Sequence, residues 1–173
     1  SANDISGNAN TGTLTNGPIW ATGKIGKGIN FDGSNDYVDA GDVTILDGAT
    51  SASWSFWIKY SGTGDGRILT KWGGTTANAS YLIDTLNSTA NIQFALSNGS
   101  GLYYILKTAS AGLTTGQWYH VVVTWTAPQT TSIYINGVSK ALTVTSANNI
   151  SSIINGATNL QFGFETNESV VPI

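Results

Sequence analysis

The chain reads as all-β, with short strands spaced as in a sandwich or a barrel, and three features of its 173 residues carry that reading. Charged residues are only 10% of it, against a usual quarter, so Ser, Thr and Asn supply the polarity between apolar runs. Strand-like runs rich in β-branched and aromatic residues recur from end to end, each bounded by turn residues. Asn-Gly occurs at 16–17, 98–99, 136–137 and 155–156, a dipeptide that tolerates the positive φ of tight hairpin turns. No stretch keeps the 3.6 period of an amphipathic helix.

In chain order the runs are Ile29–Phe31, Tyr37–Ala40, Ser53–Tyr60, Arg67–Lys71, Tyr81–Asp84, Asn91–Ser97, Leu102–Thr108, Trp118–Thr126, Ser132–Ile135, Lys140–Thr145 and Asn159–Phe164. Between the first two stands Asp32-Gly33-Ser34-Asn35-Asp36, a turn signal. Four of the ten acidic residues, Asp32, Asp36, Asp39 and Asp42, crowd this region. Turn chemistry explains them better than metal binding: Asp36 can accept backbone amides, Asp39 alternates outward from Val38, and no EF-hand Glu follows. Period two then assigns faces. In Trp118–Thr126, Trp118, His120, Val122 and Thr124 oppose Tyr119, Val121, Val123 and Trp125, and two largely apolar faces predict a central strand covered on both sides. Ser53–Tyr60 is read the same way, with Trp54, Phe56 and Ile58 opposite Ser55, Trp57 and Lys59. In Asn91–Ser97, Ile92, Phe94 and Leu96 alternate with Asn91, Gln93, Ala95 and Ser97, which predicts a half-buried strand. Ile133 and Ile135 point one way, and Asn136-Gly137 closes a turn.

A chain of this length and 40% hydrophobic content buries one sizeable core, so residues 1–173 are expected to be one domain. The net charge of −3, with no cluster of Lys or Arg, argues against nucleic acid as a partner. Without cysteine there is no disulfide, thiolate metal site or cysteine nucleophile. No segment reaches the roughly 18 apolar residues of a membrane helix, so no membrane insertion is expected. The opening "SANDISGNAN" has no secretory n-region or h-region, which places any export signal upstream or already removed. An uncharged, Asn/Thr/Gly-rich surface is common in secreted bacterial modules.

Catalytic chemistry finds little support. A glycosidase needs two carboxyl groups about 5–10 Å apart across a cleft, and the only glutamates, Glu165 and Glu168, lie near the C-terminus. Asp84 reads as a buried acid with no evident partner. His120, alone in mid-strand, reads as a core histidine hydrogen-bonded to a neighbour rather than a triad member. Asp4, Asn8 and Asn10 concentrate hard oxygen donors suited to Ca²⁺ in a Gly-containing segment; composition alone leaves open whether they hold a cation or form a solvated terminus. Aromatic rings are the other resource, with six Trp, seven Tyr and five Phe. Rings beside Asn, Thr and Asp stack on sugar faces, and Trp72, Tyr81, Tyr103 and Tyr104 are the ligand-binding candidates; core packing is the alternative for each.

Taken together, "DISGNANTGTLTNGPIW", "GKIGKGINFDGSNDYVDAGD", "SWSFWIKY", "GQWYHVVVTW" and "SIYINGVSK" resemble, in order and spacing, the LamG-like family, laminin G-like domain 3, with its concanavalin A-like jelly roll. The resemblance runs from Asp4 to about Phe164. It implies a two-sheet antiparallel β-sandwich and a non-catalytic carbohydrate-binding module for a polysaccharide or surface glycan, extracellular or at the cell surface and of bacterial or phage origin. The alternative is a protein-interaction or structural module of an adhesin, surface-layer or phage protein, with another protein domain as partner. It also implies a structural Ca²⁺ near the N-terminal segment, with Asp4, Asn8 and Asn10 as ligands, and a structural role for His120. Glucanases of this fold carry a Glu-x-Asp-x-x-Glu strand that this sequence lacks. Where relatives continue past the equivalent of "NLQFGF" with a strand like Ile-Asp-Glu-Val-Arg-Ile-Tyr, this chain reads "ETNESVVPI". Either "SVVPI" substitutes for that strand or the strand is missing, which removes a calcium ligand and leaves an edge open to pairing.

Overall fold

The computed structural model describes residues 1–62, 65–86 and 89–163. Their strands are β1 Thr13–Thr15, β2 Ile19–Thr22, β3 Lys27–Asn30, β4 Tyr37–Asp39, β5 Ser51–Lys59, β6 Gly66–Trp72, β7 Ala79–Leu86, β8 Asn91–Ser97, β9 Tyr103–Thr108, β10 Trp118–Thr126, β11 Thr130–Ile135, β12 Val138–Ser139, β13 Leu142–Ala147 and β14 Gln161–Phe162. A larger sheet runs β1-β4-β14-β6-β7-β8-β9-β13, a four-stranded sheet runs β12-β11-β10-β5, and β2 pairs with β3 as a separate hairpin. All the pairings are antiparallel.

The two sheets face each other across the main core. Trp54 of β5 reaches from the small sheet to Tyr81 and Phe94 of the large one, with ring centroids 5.5 and 5.2 Å away. Val121, Val123, Trp125 and Ile133 meet Ile83, Ile92, Leu96 and Leu106 in the same cluster. The segment between β13 and β14 closes one end. Its Ile150 and Ile153 are buried in the core, and the Ile153 amide donates to Ala49. Asn136 and Gly137 take φ of 52° and 79°, so the β11–β12 hairpin turns as its dipeptide predicts. Asn16-Gly17 also takes positive φ, but there the chain passes from β1 to β2, which pair with different partners.

The acidic stretch is turn chemistry. Asp36 accepts the Asp32 amide, Asp32 accepts the Ser34 amide, and Asp39 accepts the Gly41 amide. Asp42 instead pairs with the ammonium of Lys71, a side chain with no solvent exposure that also donates to the Thr158 carbonyl.

Burial corrects three face assignments. The outward faces of β5 and β10 are not covered: Ser51, Ser53, Ser55, Trp57 and Lys59 are exposed, and Trp118, His120, Val122 and Thr124 are only half-buried. β5 is an edge strand of the small sheet, and apolar residues on its outer face lie on the molecular surface. β8, expected to be half-buried, is buried on both faces. Ala95 packs outward with Trp72, Ala79, Leu82 and Ile105 in a second apolar cluster on the far face of the large sheet. The alternation of β8 thus marks polarity rather than exposure, and its polar set is hydrogen-bonded in place: Gln93 reaches Asp84, and Asn91 accepts from Thr108 and Ala111. Phe164 and "ETNESVVPI", on which the altered-strand expectation rests, lie outside the described residues.

Candidate functional site

The half-exposed outer face of the four-stranded sheet holds an open depression. β5 and β10 pair so that Trp57 lies opposite His120 and Lys59 opposite Trp118. The Trp57 and His120 rings sit 5.2 Å apart, tilted by 34°. Ser55 shares a 2.9 Å hydrogen bond with His120 Nε2, which fixes the imidazole against the sheet. At the neighbouring hairpin, the Asn136 side chain accepts the His120 amide and its own amide donates back to the His120 carbonyl. Asn136 is therefore held at the end of the β10–β11 ladder.

The β2–β3 hairpin walls the other side. Gly23 donates to Gly26 to tighten its turn, and Lys24 in that turn places its ammonium 5.6 Å from the centre of the Trp57 ring. Gly28 passes so near Trp118 that a methyl group there would stand 3.9 Å from the indole. Lys24, Trp57, Trp118, His120 and Asn136 together line an open depression of about 370 Å³. Trp57 is 38% exposed. An accessible indole ringed by a cation, an imidazole and an amide can stack on an apolar face and bond the polar groups around it. The lining contains no carboxylate.

His120 is thus not in the core; it lies on the outward face, although its hydrogen bond to a neighbouring side chain is present. Ser55 beside it lacks the acid of a triad within this lining. None of the five lining residues is among the ligand-binding candidates that the sequence suggests. The available signal was Trp57, an indole interrupting the polar series Ser55 and Lys59.

The four ring candidates lie elsewhere. Tyr81 and Tyr104 are 1% and 4% exposed, inside the main core. Burial pushes the Tyr81 phenol up to about 12, and the Tyr104 hydroxyl donates to the Gln129 carbonyl. These two present no ring to solvent, because their parity on β7 and β9 points them between the sheets. Trp72 is buried and stacks on half-buried Tyr103, centroids 5.7 Å apart and planes at 27°, so each covers a face of the other.

At the N-terminus a backbone bridge between Ala2 and Gly12 closes a loop around Asp4. One Asp4 oxygen accepts the Ser6 amide at 2.7 Å and the other the Asn10 amide at 2.9 Å. Hydrogen bonds from the Ser6 side chain and from these two amides hold its carboxyl below the ordinary value. Asn8 and Asn10, with Asp42, Thr44 and Ile45, line a second depression of about 290 Å³. The Asp4 carboxylate is engaged by loop amides and that of Asp42 by Lys71. Among the described residues no group of three or more His, Cys, Asp or Glu could hold a metal.

The family model described as Concanavalin A-like lectin/glucanases superfamily, Laminin_G_3, matches residues 32–170. The chain belongs to this family. Its sandwich is the concanavalin A-like jelly roll, and the outer-face depression is a feature of this member's surface. A search of curated proteins finds no match. Among solved structures the chain is similar to the binding domain of Paraclostridial Mosquitocidal Protein 1, at 16% identity and a TM-score of 0.64, covering 94% of this chain and 45% of that one. It is also similar to the botulinum neurotoxin serotype D binding domain, at 20% identity and a TM-score of 0.61, covering 96% and 41%. The serotype D ligand binding domain in complex with N-acetylneuraminic acid is 18% identical, with a TM-score of 0.59 and coverage of 92% and 40%. The chain spans less than half the length of each, and at these identities the likeness is one of fold.

No helix among the described residues is long and apolar enough to cross a membrane.

Proposed function

We propose that this family member is a non-catalytic carbohydrate-binding module that holds a polysaccharide or surface glycan in the outer-face depression and works outside the cell. The observation that carries the reading is Trp57, an exposed indole framed by Lys24, His120 and Asn136. A pyranose presents an apolar face to stack on such a ring and hydroxyls for the amide, imidazole and ammonium around it. Family membership supports a binding role, as do structural neighbours described as binding domains. A lining without carboxylates supports the absence of glycoside hydrolysis, which uses two.

A second reading has its own observation. Ile19, Trp20 and Ile25 on the β2–β3 hairpin and Val138 on β12 are all exposed by 47% or more, and apolar surface of this kind also marks protein contacts. A glycan-array screen with wild type and Trp57→Ala separates the two. Glycan binding lost in the variant supports the carbohydrate module. A folded protein that binds no glycan, while capturing a protein partner through the hairpin, refutes it.

A further inference from the structure

Charge is unevenly distributed over the fold. The chain carries a net −3, yet the outer face of the four-stranded sheet carries lysines. Lys59 stands across from Trp118, and Lys24 lies over Trp57. The described aspartates belong to other regions: Asp4 to the N-terminal loop, Asp32, Asp36, Asp39 and Asp42 to β4 and the turns around it, Asp47 to the segment before β5, Asp65 to the approach to β6, and Asp84 to β7. Among the described residues the only ion pair is Lys71 with Asp42. Lys24 and Lys59 therefore have no carboxylate within salt-bridge distance among those residues.

Resting on the carbohydrate reading of this depression, we propose that it selects saccharides bearing an anionic group, carboxylate or sulfate, and that Lys24 is the residue that reads that group. The physical reason lies in where the Lys24 ammonium rests. It occupies the space over the Trp57 ring that a stacking sugar needs. A neutral sugar displaces the ammonium and offers it only a hydroxyl acceptor in return. An anionic sugar draws it off the ring into a charge-assisted hydrogen bond at the rim, so both the indole and the ammonium keep a partner. Lys24 sits in an exposed turn on a flexible stem, so this swing needs no backbone change. The same geometry works against neutral competitors, since specificity is a difference of affinities.

The test is a titration series on the full chain with matched saccharide pairs: oligogalacturonate against its methyl ester, and a sulfated galactan oligosaccharide against its desulfated form. Wild type, Lys24→Ala, Lys24→Arg and Trp57→Ala are compared at low and high salt. The expected result is a preference of roughly tenfold for the charged member of at least one pair, weakened by salt. Lys24→Ala should collapse that preference to within about twofold, while Lys24→Arg keeps it. The two pairs distinguish a carboxylate from a sulfate. Equal binding of charged and neutral members, lost in both for Trp57→Ala, would overturn the anion selectivity and leave the carbohydrate site standing. A charge preference untouched by Lys24→Ala would overturn the assignment to Lys24. No binding in either pair by a protein that binds array glycans through Trp57 would overturn the anion selectivity alone, and binding indifferent to Trp57→Ala would overturn both readings.

Discussion

Replacing Asp84 with Asn should abolish a pH dependence of folding built into the large sheet. Asp84 is 5% exposed. It pairs with Gln93 on β8 and Arg67 on β6. The Gln93 amide donates to one carboxylate oxygen at 3.3 Å, the other oxygen has no partner, and the Arg67 guanidinium donates instead to Thr70. Burial therefore dominates, and it pushes the Asp84 carboxyl from 3.8 up to about 7, with Arg67 pulling part of the way back. The folded value lies above the unfolded one, so the native state holds the proton more tightly. The stability this gives is complete below about pH 4 and is lost as pH rises through about 7. At about 1.36 kcal/mol per pH unit between 3.8 and about 7, wild type should lose about 4 kcal/mol relative to Asp84→Asn between pH 4 and pH 8. Urea unfolding of both proteins across that range measures it, because the other carboxyl groups titrate alike in both and cancel in the difference. A difference constant to about 0.5 kcal/mol, or a wild type that gains on the variant as pH rises, would refute the reasoning.

Further outcomes follow from the packing. Phe94→Ala empties the site between Trp54 and the large sheet and should cost about 3–5 kcal/mol by urea unfolding. Asp42→Asn leaves the buried Lys71 ammonium with only the Thr158 carbonyl and should cost about 1–3 kcal/mol, less than a wholly buried pair because Asp42 is 44% exposed; Lys71→Met should recover part of that loss in the Asp42→Asn background. Gly12→Ala sets a methyl carbon 2.4 Å from a Val38 methyl, so it should open the Ala2–Gly12 bridge and speed amide exchange at both residues. Because Asp4 already holds the Ser6 and Asn10 amides, adding Ca²⁺ should leave Tm within about 1 °C; a rise of several degrees would show that the loop gathers a calcium shell.

The sandwich was legible because its signals are local. Period-two runs and the Asn136-Gly137 turn each specify their own stretch of chain, and Asn91–Ser97 and Trp118–Thr126 appear with the expected bounds. The missed elements are short: Thr13–Thr15, Ile19–Thr22 and Val138–Ser139 hold too few residues to display alternation. Which face of a strand is covered was not legible, because it depends on what stacks above the sheet. β10 carries Trp118 and His120 outward beside a hairpin, while β8 carries Gln93 and Ser97 into buried positions. The candidate site suffered for the same reason. Tyr81 and Tyr104 look like any other strand tyrosine until parity relative to the core is known, and Lys24 reaches Trp57 only once the β2–β3 hairpin lies beside β5 and β10. The acidic turn was readable because Asp bonds amides within four residues of itself.

The central claim, that ligand binds on the outer face of the four-stranded sheet, is tested most directly by following the six tryptophan indole N–H signals by NMR. They are assigned by single substitution and tracked during titration with the strongest array ligand. The account predicts that Trp57 and Trp118 shift in saturable fashion while the core indoles of Trp54 and Trp125 stay still. A shift confined to Trp72, with Trp57 and Trp118 unmoved, would contradict it and place the ligand on the far face of the large sheet.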